Sequence, residues 1–571
     1  MKISLRAAIE ITAAVCVFII FSVYFPPKSY AKNSINTQIN TEIVLKRFKP
    51  LSKQMTREEV TYVIKRKHNL KGKELVVPKG CTLLFKGGCI TNGIVHGEAT
   101  VIEAGDDKSF SNVILGGSWN PDITYPEWFG AIGDGVIDDT YALQKAAYFA
   151  EGNTLVLQNG KKYKYTQGIK VKSNTSISGE GAIVIKACYS AFLRNEHSSE
   201  DVVDENIRIS GLNGITLDNS YRGLWLWMVG VKGLNISNCS FENHTPLDKE
   251  QNAQWCVTVS GEDIDINNCR INTYGGGLFS DGIHVYNAIN CAIHDCVIIT
   301  EDDCIGFAPE IAREQVEYNK YNQISTNVNI YNNRLTGTKN CIRFEVRENA
   351  PKVFAYQNVH IWNNVLDGKT IHVGSFLYLH DYRKKTEYKD HSFIVEDNKI
   401  EGTLKSDKLN FIEVFGKNPV ELPIGVMNIK NVSISGIKTS MSGFENYLRC
   451  IGAENVVVKN CSFSADDNAT SGLAIRESKN VSVYDCYFST YSQYPFIQIT
   501  NCSGVVQKNR IERLNNDNNA GIGIFIKDSD DMTVERNEIS NFSIGLSDVK
   551  SSKRVDSNSY RRCNLNVQRR R

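Results

Sequence analysis

Three aspartates carry the strongest chemical signal in this 571-residue chain. Asp281 opens the segment DGIHV, Asp303 opens DCIGF, and Asp302 stands immediately before the second. The segments share the pattern x-small-apolar-x-apolar, and their first residues are 22 apart (303 − 281). As neighbouring strands they would crowd three carboxyl groups onto one face. Mutual repulsion would then hold a proton on at least one of them near neutral pH. A protonated carboxyl beside an ionised one is the pair that glycosidic cleavage uses. Turn-capping aspartates at strand ends would leave the same letters, so the surrounding elements decide.

The same pattern recurs as RGLWL from Arg222, WCVTV from Trp255, NCIRF from Asn340, SFLYL from Ser375 and NFIEV from Asn410, then SGLAI and FSIGL. Its third and fifth slots are apolar and must face inward, which leaves the fourth facing out. Read down the repeats, that outward column is Trp225, Thr258, His284, Gly306, Arg343, Tyr378 and Glu413. Aromatic, cationic and acidic side chains in succession suit a groove for an extended polar ligand better than a solvated face. The substrate-binding set expected is Arg222, Trp225, Trp255, His284, Arg343, Glu345, Arg347, Tyr378 and Glu413. Strict alternation would turn Asp281 and Asp303 into the core, where an unpaired carboxylate is too costly. A bend is therefore expected at Gly282 to swing them outward.

A second motif, apolar-x-apolar-x-Asn/Asp-Cys/Asn, recurs as LNISNC, IDINNC, CAIHDC, VNIYNN, VHIWNN, VVVKNC and VSVYDC at a period near 30. Alternation inside each unit means strands, and the Asn or Asp supplies a left-handed turn residue. A fixed short period of strands means a solenoid, here an all-β parallel β-helix whose equal slots stack along its axis. Cys239, Cys269, Cys296, Cys461 and Cys486 share one slot. They read as small buried residues in a stack, not as halves of disulfides. No Cys/His spacing suggests zinc.

The segment EWFGAIGDGVIDDTYALQKA, Glu127 to Ala146, resembles the opening motif of the pectate-lyase superfamily of right-handed β-helices. The likeness implies a strand and a short helix capping the first coil, with Asp138 and Asp139 as N-capping residues. Phe279 to Phe307 is similar to glycoside hydrolase family 28, the polygalacturonases. Asp281 matches the Asp of that family's Asn-Thr-Asp motif, while Asp302 and Asp303 match the pair in its Gly-Asp-Asp-Cys motif. The resemblance implies an inverting single displacement, with Asp302 as general acid and Asp281 and Asp303 holding and deprotonating the attacking water. Phe279, Ser280 and Glu301 depart from those motifs, and Glu345 stands where the family's Arg-x-Lys pair has lysine. A neutral or differently charged sugar is expected in place of galacturonate. Two other readings stay open. One is a polysaccharide lyase using Ca²⁺ on Glu301, Asp302 and Asp303, with Arg343 as base. The other is a non-catalytic glycan-binding solenoid. For the hydrolase no cofactor and no metal are expected.

The formal charge is 65 − 63 = +2, which offers no electrostatic case for nucleic acid as partner. Lys2 and Arg6 precede the apolar run Ile11 to Phe25, and Ser-x-Ala ends at Ala31. This reads as a secretory signal, with membrane contact only if it stays uncleaved. Export to the periplasm, the cell surface or the medium is expected, as a monomer acting on a polysaccharide or oligosaccharide. The organisation expected is signal 1–31, linker 32–55, a small β-segment 56–126, the β-helix 127–565 and a basic tail 566–571.

Overall fold

The computed structural model describes residues 41–570, apart from 106–107, 121–122, 201, 217–222, 243–254, 274–279, 309–324, 347–353, 368–374, 382–390, 402–409, 416–428, 442–445, 466–470, 516–519 and 551–553. The expected signal therefore lies outside the described residues. Among the described residues no helix is long and apolar enough to cross a membrane.

Each repeat turns where the motif places it. Asn238, Asn268, Asp295, Asn332, Asn363, Asp397, Asn460 and Asp485 all have φ between 51° and 57°, a conformation that Asn and Asp tolerate better than other L-residues. The next residue enters the core and stacks on its counterpart in the adjoining rung. Where it is Cys239, Cys269, Cys296, Cys461 or Cys486, the thiol is buried and free. Where it is asparagine, side-chain amides bond from rung to rung: Asn333 Nδ2 donates to Asn364 Oδ1 at 3.0 Å, and Asn364 Nδ2 to Asn398 Oδ1 at 3.0 Å. Asn509, Asn537 and Asn558 repeat the ladder. Each buried amide is thereby satisfied, so cysteine and asparagine are alternatives for one inner column.

Among the described residues, sixteen strands from Asp134–Asp138 to Ser559–Arg561 form one sheet. A larger sheet, from Ile123–Thr124 to Leu565–Arg570, supplies the remaining faces. Among the described residues the strand pairings are parallel, and Ile283–His294 spans two faces, pairing with Asp303–Phe307 at one end and Ser325–Tyr331 at the other. Ile209, Ile236, Ile266, Ile293, Ile330 and Ile361 stack in register through the interior, all buried. This apolar column sets the register, because a one-residue slip would expose it.

Two boundaries differ from expectation. Glu42–Val44 pairs with Thr61–Ile64, and Leu45, Leu51 and Met55 are buried, so ordered sheet occupies the stretch read as linker from Glu42 onward. That sheet meets the helix Thr140–Phe149 through Trp119, Phe129 and Phe149. The basic tail is instead a strand: Leu565–Arg570 pairs with Ile544–Val549. Arg569 fits there because its side chain stays 65% exposed. Asp139 occupies the helix N-cap, but its carboxylate accepts from the Ile132 and Gly133 N–H groups, and Asp138 accepts from Thr140 N–H.

Candidate active site

Ile283 pairs with Ile305, so Asp281 and Asp303, two residues before each, begin adjacent rungs. The Gly282 N–H donates to the Asp303 carbonyl at 2.9 Å. Gly282 lies in the expected bend; a Cβ there would sit 2.7 Å from the Cys304 carbonyl and 2.5 Å from Ile298. Asp281, Asp302 and Asp303 each offer an oxygen within 4.8 Å of the other two. The spacing of 22 thus converts into a true cluster.

The cluster is covered. Asp281 and Asp303 are fully buried and Asp302 is 3 % exposed, so each needs a partner. Asp281 Oδ2 is 2.8 Å from His284 Nδ1 and 3.8 Å from Arg343 Nη2. Asp303 Oδ1 accepts from Asn340 Nδ2 at 2.6 Å. Its Oδ2 lies 2.8 Å from Arg343 Nε, an ion pair in which the N–H is not aligned for a hydrogen bond. Lys339 Nζ is 3.1 Å from Asp302 Oδ1, and Arg343 Nη1 is 3.6 Å from Glu345.

Burial pushes Asp281 up to about 7 and Asp303 up to about 8; neighbouring carboxylates add to the rise and Arg343 opposes it. Burial thus outweighs the mutual repulsion that the spacing suggested. The two groups titrate as a pair, and near neutral pH the pair retains a proton. Lys339 and Arg343 already set two positive charges against the three acids. Among the described residues, the group close enough to share a cation is Asp281, Asp302 and Asp303, not the Glu301-containing set of the lyase reading.

The outward column also takes shape, with corrections. By register it runs Lys170, Arg194, Trp227, Thr258, His284, Gly306, Arg343, Tyr378 and Glu413. Trp227, not Trp225, stands beside Thr258. Trp225 is fully buried, stacked on Phe241 at 5.5 Å, in room left by Gly214, whose Cβ would meet its ring at 2.7 Å. His284 is likewise no surface contact for a sugar. Its ring is fully buried beneath Trp255, with centroids 3.7 Å apart and planes 8° apart, and it serves Asp281. Trp255, Tyr286, Val229 and Trp227 form an aromatic group separate from the main core. Tyr378 stacks on His380 at 3.6 Å. Arg222 and Arg347 lie outside the described residues, and only the backbone of Glu413 is described.

Sequence reasoning missed Tyr286, Lys339 and Asn340 as members of this site. Tyr286 is signalled by its place two residues after His284 on the same strand. Asn340 holds the slot that Asp281 and Asp303 hold in their own rungs. Lys339 carries no comparable signal. Gly306 was visible only as a gap in the column. A Cβ there would stand 2.9 Å from Asp281 Oδ2 and 3.7 Å from Arg343 Nη2, so the missing side chain is what lets carboxylate and guanidinium approach.

Residues 422–567 match the family model described as a right handed beta helix region. The chain is a right-handed parallel β-helix. Over 202 residues it is 30% identical to a capsule K30/K69-specific depolymerase of Klebsiella phage K64-1, covering 29% of this chain and 26% of that protein. The preneck appendage protein of Bacillus phage PZA is 26% identical over 257 residues, covering 40% of this chain and 28% of its own. The chain thus spans about a quarter of the length of the curated relatives it matches. Among solved structures, a family 28 exopolygalacturonase of Yersinia enterocolitica superposes with a TM-score of 0.43 at 13% identity, covering 74% of this chain and 78% of that one.

Proposed function

We propose that this β-helix hydrolyses a glycosidic bond of a polysaccharide or oligosaccharide, with Asp281, Asp302 and Asp303 as its acid–base machinery. The observation that supports this best is the convergence of three carboxyl groups from adjacent rungs, two of them raised by burial into the neutral range. That arrangement keeps a proton within the trio at the pH where a leaving oxygen needs one. The Asp281–Asp303 pair passes its proton to Asp302, the member with residual exposure, which donates it to the leaving oxygen; the pair, ionised by that transfer, orients and deprotonates water. Arg343, locked to both, holds their geometry. The capsule specificity of the phage depolymerase is in keeping with a glycan substrate. The features at Lys2 to Ala31 support action outside the cytoplasm.

A glycan-binding solenoid without turnover is the second reading, favoured by the near-complete burial and partnering of the acids. Incubating wild type and Asp302→Asn with a panel of plant, host and bacterial capsular glycans, and measuring new reducing ends, separates the two. Reducing ends released by wild type and not by the variant support hydrolysis. Binding to a panel member with no release by either protein supports the solenoid.

A further inference from the structure

The outward column continues past the acids toward the N-terminal end of the solenoid, and its chemistry changes there. Trp227 pairs with Arg194, and Arg194 with Lys170, on successive rungs. These residues line one cavity of about 550 Å³ together with Ser190, Ser199 and Leu224. Arg194 is held by hydroxyl groups: its Nε and Nη2 donate to Ser198 Oγ at 3.1 and 3.0 Å, and Nη2 also donates to Ser199 Oγ at 3.0 Å. Among the described residues neither Arg194 nor Lys170 makes an ion pair with a carboxylate. Near the aspartates the balance is reversed, because Lys339 and Arg343 are both committed to acids. An anionic sugar would therefore find its uncompensated cations in the cavity and not at the cleaved bond.

We infer that this cavity is a specificity subsite for an acid-bearing sugar unit, carboxylated or sulfated, of the same glycan chain whose bond meets the aspartates. The inference rests on the proposed glycan site and adds its substrate class: a heteropolysaccharide whose acidic residue lies some way from the scissile linkage. Arg194 is three rungs from His284, about 14 Å at roughly 4.8 Å per rung, the span of a short oligosaccharide along the groove. A guanidinium fixed by neighbouring hydroxyls suits two-pronged contact with a carboxylate or sulfate. Trp227, half-buried at the inner margin of the cavity, offers an aromatic surface for the apolar side of a pyranose ring.

The test is binding to the Asp302→Asn protein, so that turnover plays no part. Dissociation constants are measured by calorimetry and affinity electrophoresis for oligomers of polygalacturonate and alginate, each beside its carboxyl-reduced form, and for dextran sulfate beside dextran. The protein is expected to prefer at least one acidic probe to its neutral counterpart by 10-fold or more. Lys170→Gln combined with Arg194→Gln abolishes that preference while leaving the neutral probe's binding unchanged, and Arg194→Lys restores part of it. The carboxylated and sulfated arms tell which acid is read. Equal binding of every acidic and neutral pair, or a preference that survives the double substitution, overturns the inference. Reducing-end release by wild type is scored separately, so failure of the hydrolase reading would show there and leave the binding result intact.

Discussion

Replacing Asp303 with asparagine keeps the shape of the site and removes one buried titration. Burial lifts this carboxyl from 3.8 to about 8, so the folded protein binds its proton more tightly than the unfolded chain does. Stability from such a group is fully present below the unfolded value and is lost as pH climbs through the folded one. Four pH units at about 1.4 kcal/mol each set an upper bound near 6 kcal/mol. Sharing of the proton with Asp281 brings the expected effect down to about 2–3 kcal/mol. In a chain of this length that is a shift of several degrees in Tm at most. The assay is thermal unfolding of wild type and Asp303→Asn at pH 5, 7 and 9. Wild type should lose stability from pH 5 to pH 9, and the variant should lose distinctly less over the same interval. Parallel profiles for the two proteins, or a wild type whose stability rises more steeply with pH than the variant's, would refute the claim that this acid is protonated in the folded state.

Gly306→Ala adds a methyl group 2.9 Å from Asp281 Oδ2; displacing that carboxylate by a fraction of an ångström should cut kcat by about 100-fold with a Tm change of only a few degrees. Trp225→Ala should destabilise the protein by about 3–5 kcal/mol, read as a fall in the denaturation midpoint. Trp227→Ala should lower that midpoint less than Trp225→Ala does and should weaken glycan binding, which checks the corrected register directly. Arg343→Met strands two buried acids and should cost about 3–5 kcal/mol at pH 9, with a smaller loss at pH 5, where both acids can protonate; urea titrations at the two pH values test it.

Most of the architecture was legible because the fold repeats one constraint. A left-handed turn residue followed by an inward residue recurs along the described coils; Asn-Cys, Asp-Cys and Asn-Asn announce both in most of them, while Gly211-Leu212 and Gly436-Ile437 take the same places without that signal. The neighbourhood of Asp281 and Asp303 was legible for the same reason: both precede segments whose apolar slots align without ambiguity. The register failed at Arg222, where Leu224, Trp225, Leu226, Trp227 and Met228 offer apolar residues at every slot. A two-residue slip there keeps each side chain's parity, so pattern alone does not resolve it. Packing does, since Trp225 fills the inner position that Cys256 and Cys304 hold in later rungs. His284 shows the other limit. Its outward slot was correctly assigned, but the ring of Trp255 that covers it comes from the preceding rung. The charges of Glu42 and of the terminal arginines hid strands at both ends, because outer rungs leave one side of each strand in water.

The claim on which the account rests is that the three aspartates act together on a glycosidic bond, and proton NMR of the first product formed tests it most directly. Their nearest oxygens lie within 4.8 Å, closer than the roughly 6.5–9.5 Å between carboxyl groups usual for inverting enzymes, which makes the stereochemistry decisive. Followed from mixing on a cleaved glycan, wild type should release the anomer opposite to the substrate linkage, and Asp302→Asn should release none. A product that retains the starting configuration, or equal cleavage by the variant, would contradict the single displacement assigned to Asp281, Asp302 and Asp303.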